Sequence, residues 1–149
     1  MTLPANPSST ILSDAEWHRL SSPTQRYVYA SFELLEKSEG HLINGDLRQA
    51  SEMAWGSAAQ IVKAVAENWN LSHKSHQDLL ALVDMLVPLS SQSTVEDGFD
   101  IAQNLHRNFY ENNASEVLVT LAVQRMAYFI DDMLPWLRRT SQPRQVSLE

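Results

Sequence analysis

The chain has no cysteine, only 4 glycines and no long apolar run, and each absence closes a class of structure. Without cysteine there are no disulfides, no thiolate metal sites and no cysteine nucleophile, which suits a cytoplasmic protein. The few glycines form neither a Walker loop nor a dinucleotide fingerprint, so nucleotide binding through those motifs is excluded. Apolar stretches are only a few residues long, too short to cross a bilayer, and no membrane partner is expected. The start, Met1-Thr2-Leu3-Pro4-Ala5-Asn6-Pro7, has neither a basic n-region nor an apolar h-region and is not read as a signal peptide. Positive charge is also scarce. Lys+Arg number 11 against 18 Asp+Glu, a net charge of −7, and such a surface disfavours broad binding of nucleic acid phosphates.

What remains is helical rhythm in a chain of 149 residues, the size of one domain. Residues 1–12 are rich in Pro, Ser and Asn and are expected to be disordered. Ser13 and Glu16 form a capping box that opens a short helix to about Leu20, and Ser22-Pro23-Thr24 starts a long second one. Asn44-Gly45 ends it, and Asp46 caps the third, with Gln49 placed to complete a box. There Leu47, Ala50, Ala54, Ala58, Ile61, Val65 and Trp69 recur at three- or four-residue spacing, an apolar stripe. Ala50, Ala54, Ala58 and Gly56 predict close approach of a neighbouring helix. A fourth helix starts near Ser75 and bends or ends at Pro88; a shorter one begins at Thr94 or Asp97; Ser115 caps the last. The domain is expected over 13–139, followed by a polar tail at 140–149.

Few patterns carry chemistry. Di-iron bundles need Glu-x-x-His on two helices, and the chain has none. His73 and His76 form a His-x-x-His pair, but only Asp78 is near as a further ligand, so a solvated helix start is the expectation and no metal or other cofactor is assigned. Trp69 falls on the core stripe, whereas Trp55 sits beside it and flanks a groove or a partner helix. The densest polar and aromatic crowding is Leu105-His106-Arg107-Asn108-Phe109-Tyr110-Glu111, read as a turn region between two helices. It supports two readings. In one, Arg107 pairs with a carboxylate, Asn108 caps the helix end and Tyr110 packs the corner. In the other, His106 and Arg107 face an anion with Glu111 as partner, and Arg107, Asn108, Tyr110 and Trp55 form a binding surface.

Two stretches carry a family resemblance. Gly45-Asp46-Leu47-Arg48-Gln49-Ala50-Ser51-Glu52-Met53-Ala54-Trp55-Gly56-Ser57-Ala58-Ala59-Gln60 resembles the second-helix pattern of PaREP1-like proteins, a branch of the HEPN helical domains. Leu105-His106-Arg107-Asn108-Phe109-Tyr110-Glu111 resembles the same branch's L-H-x-N-F-Y-E pattern. The resemblance spans roughly residues 25 to 137. It implies an all-α, up-and-down bundle of four to five long helices with a short N-terminal helix, often dimeric. It also implies either a metal-independent ribonuclease of toxin–antitoxin or defence systems, or an inactive module that binds RNA or a protein such as a small nucleotidyltransferase. Active members carry Arg followed, after four to six residues, by His. Arg107-Asn108 fits the first half, but the positions eligible for His are Asn112, Asn113 and Ala114.

The expectation is therefore a non-catalytic interaction module, and the resemblance implies a homodimer that pairs through the exposed side of the third helix or the final helix. The alternative is a divergent ribonuclease built around Arg107 with His106, Asn108 and Glu111. A small-ligand pocket near Tyr110 is a third option.

Overall fold

The computed structural model describes residues 5–90 and 94–143. Six α-helices and two short 3₁₀ turns make up the fold, and no strand occurs among the described residues. The expected all-α bundle, one short N-terminal helix and longer ones after it, is what forms. The helices are α1 (Asp14–Arg19), α2 (Ser22–Ile43), α3 (Leu47–Asn68), α4 (His76–Leu86), α5 (Thr94–Glu111) and α6 (Glu116–Met133). A 3₁₀ turn at Val87–Leu89 contains Pro88, and a second at Leu134–Arg138 follows α6.

Local chemistry sets most boundaries. Ser13 and Glu16 exchange both arms of the capping box, and Ser75 and Asp78 do the same at α4. Ser21, Asp46 and Ser115 each accept a backbone N–H three residues on. The α2–α3 corner turns at Gly45, whose φ of 78° is the left-handed conformation that glycine adopts without strain.

Helix α3 is the centre of the bundle. Its neighbours are α2, α5, α6 and α4, and along its whole length only Arg48 is exposed. The helix whose free side was expected to offer a dimer face thus has almost none. Small residues explain the arrangement, since Ala50, Ala54, Ala58 and Ala64 are fully buried and let neighbours approach closely. Against α2 the approach is fixed by two buried hydroxyls. Ser31 Oγ donates to the Ser57 carbonyl at 2.7 Å and Ser38 Oγ to the Ala50 carbonyl at 2.6 Å. Trp17, Phe99, Phe129, Met126 and Ile130 fill the core, each contributing about 1.5–3 kcal/mol of burial.

The ends are tied to this core. Within the segment read as disordered, residues 5–12 carry a turn in which Ile11 and Leu12 donate to the Ser8 carbonyl, and Leu12 is buried. Residues 1–4 lie outside the described residues. Arg138 donates to Glu16 at 3.0 Å and to the Ile11 carbonyl. Just before the tail, the Arg139 carbonyl accepts from Asn68 Nδ2 and Trp69 Nε1, at 2.8 and 3.0 Å. Residues 144–149, most of the tail, are likewise outside the described residues.

Candidate functional site

The polar and aromatic motif lies on α5 itself rather than in a turn, because the helix runs unbroken to Glu111. The corner comes after it, at Asn112, whose φ is 47°. Helical geometry separates the motif's side chains by about 100° per residue. His106, Arg107 and Asn108 therefore leave α5 in three directions.

His106 faces α3. Its Nδ1 is 2.9 Å from Glu52 Oε2, and its ring stacks on Trp55 with centroids 5.1 Å apart. Trp55 also stacks on His76 at 5.2 Å and meets Phe99 edge-on at 5.8 Å. The Nε2 of His76 is 3.0 Å from Gln103 Oε1, one helical turn before His106 on α5. Tyr110, 68% exposed, sets its ring edge-on to His106 and to Phe109. Arg48 lies over the Phe109 ring and donates to the Phe109 carbonyl. The result is a half-buried strip of imidazole and aromatic rings on the α3–α5 face, closed at one end by a guanidinium.

Arg107 is exposed, with a long 3.4 Å contact to Asn104 one turn earlier. Glu111 is exposed as well, and the carboxylate beside His106 is Glu52 rather than Glu111. Asn108 is buried. It donates to Ser51 Oγ at 3.0 Å while its Oδ1 accepts from the Asn113 and Ala114 amides, at 3.0 and 2.9 Å. This side chain pins the α5–α6 corner to α3, with its amide turned inward.

His73 and His76 also diverge. His73 Nε2 lies 3.2 Å from Glu67 Oε2 and 3.3 Å from the Tyr27 hydroxyl, whereas His76 joins the Trp55 stack. Among the described residues no three His, Asp or Glu side chains gather as a metal site.

On its other face α5 packs along α6 and leaves an open groove of about 360 Å³. Ile101, Leu105, Ala114, Leu118, Leu121 and Ala122 line it together with the polar residues Asn104, Asn108 and Arg125. Beside it α6 exposes Val117, Leu118, Leu121 and Tyr128, each more than half exposed. An apolar ridge of this kind marks contact surfaces on soluble domains. Neither Arg125 nor the Glu52–His106 pairing was singled out from the sequence. Glu52 shares a helix face with Trp55 three residues on, and that spacing was the one available signal.

The class is therefore an all-helical bundle domain with a central alanine-rich helix and two distinct surfaces on α5. Its particular family follows from residues 26–127, α2 to most of α6, which match the archaeal PaREP1/PaREP8 family. The chain belongs to that family. No curated protein and no solved structure matches it. No helix among the described residues is long and apolar enough to cross a membrane.

Proposed function

We propose that this protein is a HEPN-like, non-catalytic interaction module of the cytoplasm whose working surface is the α5–α6 groove. The observation that carries the reading is the groove itself, an apolar trough lined in part by exposed Leu118 and Leu121, on a helix that also exposes Val117 and Tyr128. Folding alone gives no reason to leave four large apolar side chains of one helix in water, and a helix laid in the trough would cover them. The motif that resembles a ribonuclease site supports the same view. Arg107, His106 and Asn108 point apart, and Asn108 is committed to the corner.

One observation favours the alternative, a divergent ribonuclease. Glu52 orients His106 through Nδ1, and Nε2 has no hydrogen-bond partner among the described residues. An imidazole held in this way is arranged as a general base.

The test is incubation of the pure protein with total RNA beside Arg107→Ala and His106→Ala. The module reading expects intact RNA in all three. Cleavage by the wild type that both substitutions abolish would replace it with the enzyme.

A further inference from the structure

We infer that the floor of the α5–α6 groove takes a small amphiphilic carboxylate, its head on Arg125 and its apolar tail toward Leu118. The inference rests on the reading of this groove as the working surface and names a ligand for it.

Size and lining come first. The groove holds about 360 Å³, at the lower end of the range for small-molecule pockets. Leu105 and Val119 form its floor, 3% and 1% exposed, and half-buried Ile101 and Ala122 form its walls. An α-helix is about 10–12 Å across with its side chains. A partner helix laid over the groove therefore rests on its rim, at Leu118 and Leu121, and leaves the floor to a slimmer occupant. An unbranched acyl chain is slim enough to lie there.

Polarity defines the ligand's head. Three polar residues line the groove, and they are unequally engaged. Asn108 is committed to Ser51 and to the Asn113 and Ala114 amides. Asn104 uses Oδ1 for its long contact with Arg107, and its Nδ2 has no partner among the described residues. Arg125 is half-buried and makes no ion pair or hydrogen bond among the described residues. What remains for a ligand is donors alone, an amide N–H and a planar guanidinium. A carboxylate matches that set, because it only accepts and takes two parallel N–H bonds from a guanidinium. One cation also balances one negative charge, which suits a carboxylate better than a doubly charged phosphate.

Helix register sets the direction. The short corner at 112–115 makes α5 and α6 antiparallel, with Phe129 packed at Gly98. One turn from that contact, Arg125 comes level with residues 101–105 of α5, so it stands at the Asn104 end of the groove. Leu118 lies toward the corner, about 10 Å from Arg125 along α6 at 1.5 Å per residue. Charge thus sits at one end and apolar surface at the other, the polarity of an aliphatic acid.

Amide NMR titration of the full 16.9 kDa chain with octanoate, octanol and octylamine tests this. Octanoate should shift the amides of Leu105, Leu118 and Ala122 and bind at least about tenfold more tightly than octanol or octylamine. Arg125→Met keeps the apolar stem and breaks no bond within the chain. It should weaken octanoate about tenfold and leave octanol within about twofold. Octanoate that fails to bind, or that binds Arg125→Met as tightly as the wild type, overturns the proposal. In that event the uncharged dye Nile red separates the two readings. Uptake that Leu118→Asp removes refutes the acid and leaves the interaction module standing, whereas uptake that is absent or indifferent to Leu118→Asp refutes both.

Discussion

Glu52 on α3 and His106 on α5 meet with Nδ1 and Oε2 2.9 Å apart, at the edge of the stack that Trp55 makes with two imidazoles. The contact joins positions 54 residues apart in the chain. Both side chains are about one-third exposed, so water screens the pair.

That exposure fixes the expected magnitude. A double-mutant cycle with Glu52→Gln and His106→Gln should return a coupling of at most about 1 kcal/mol in chemical denaturation. A coupling several times larger would mean that the pair is a structural keystone and not an accessible surface group.

Asn108 is the opposite case, because its side chain is buried and makes three hydrogen bonds, the one to Ser51 fully buried. Asn108→Ala leaves Ser51 Oγ and the Asn113 and Ala114 amides short of their partner. Urea denaturation should show a loss of about 2–4 kcal/mol. A loss below about 1 kcal/mol would show that the corner is held by its apolar contacts instead.

Gly98 marks a close approach between α5 and α6. A Cβ placed there would lie 2.5 Å from Phe129 Cδ1 and 3.2 Å from Phe129 Cβ, and Phe129 is itself buried. Gly98→Ala gains about 1 kcal/mol of helix propensity but forces the ring to move, at a cost of about 1–3 kcal/mol. Net destabilisation is expected in thermal melts, with part of it recovered when Phe129→Leu is added. A more stable Gly98→Ala protein would contradict this packing.

Acid should weaken the fold through two helix caps. The Asp78 carboxyl titrates below its ordinary range, chiefly because the Ser72 hydroxyl donates to it, helped by the Ser75 and Lys74 amides. Glu16 is lowered chiefly by the Ser13 amide, with smaller help from the Ser13 hydroxyl and Arg138. Both groups bind protons more readily when unfolded. Their stabilisation is therefore complete above the unfolded carboxylate range and is lost as pH falls through the folded values. Asp131 runs the other way, since burial and the neighbouring Asp132 raise it. In melts across the acid range, Asp78→Asn and Glu16→Gln should flatten the decline, whereas Asp131→Asn should stabilise at neutral pH and lose that advantage in acid. A decline unchanged by the two cap substitutions would place the acid sensitivity elsewhere.

The sequence by itself determined the helices and most of their ends; α5 is the exception, since Leu105–Glu111 reads as a turn and is helical. Capping hydroxyls, Gly45 and the three- and four-residue apolar spacing act within a turn or two of the chain, so Ser13, Asp46, Ser75 and Ser115 are legible without any knowledge of packing. The small residues of α3 announced close packing, and the place of Trp55 beside the stripe set it apart from the core. What only the tertiary structure decided is which side chains meet. Neighbouring positions on a helix diverge by about 100°, so the run His106-Arg107-Asn108 looks like one site in sequence and becomes three places in space. Glu52 reaches His106, and Arg125 is left facing an apolar groove, because α3 sits at the centre with α5 and α6 packed on it. Those contacts depend on the axial and rotational register of helices far apart in the chain, which no local pattern encodes.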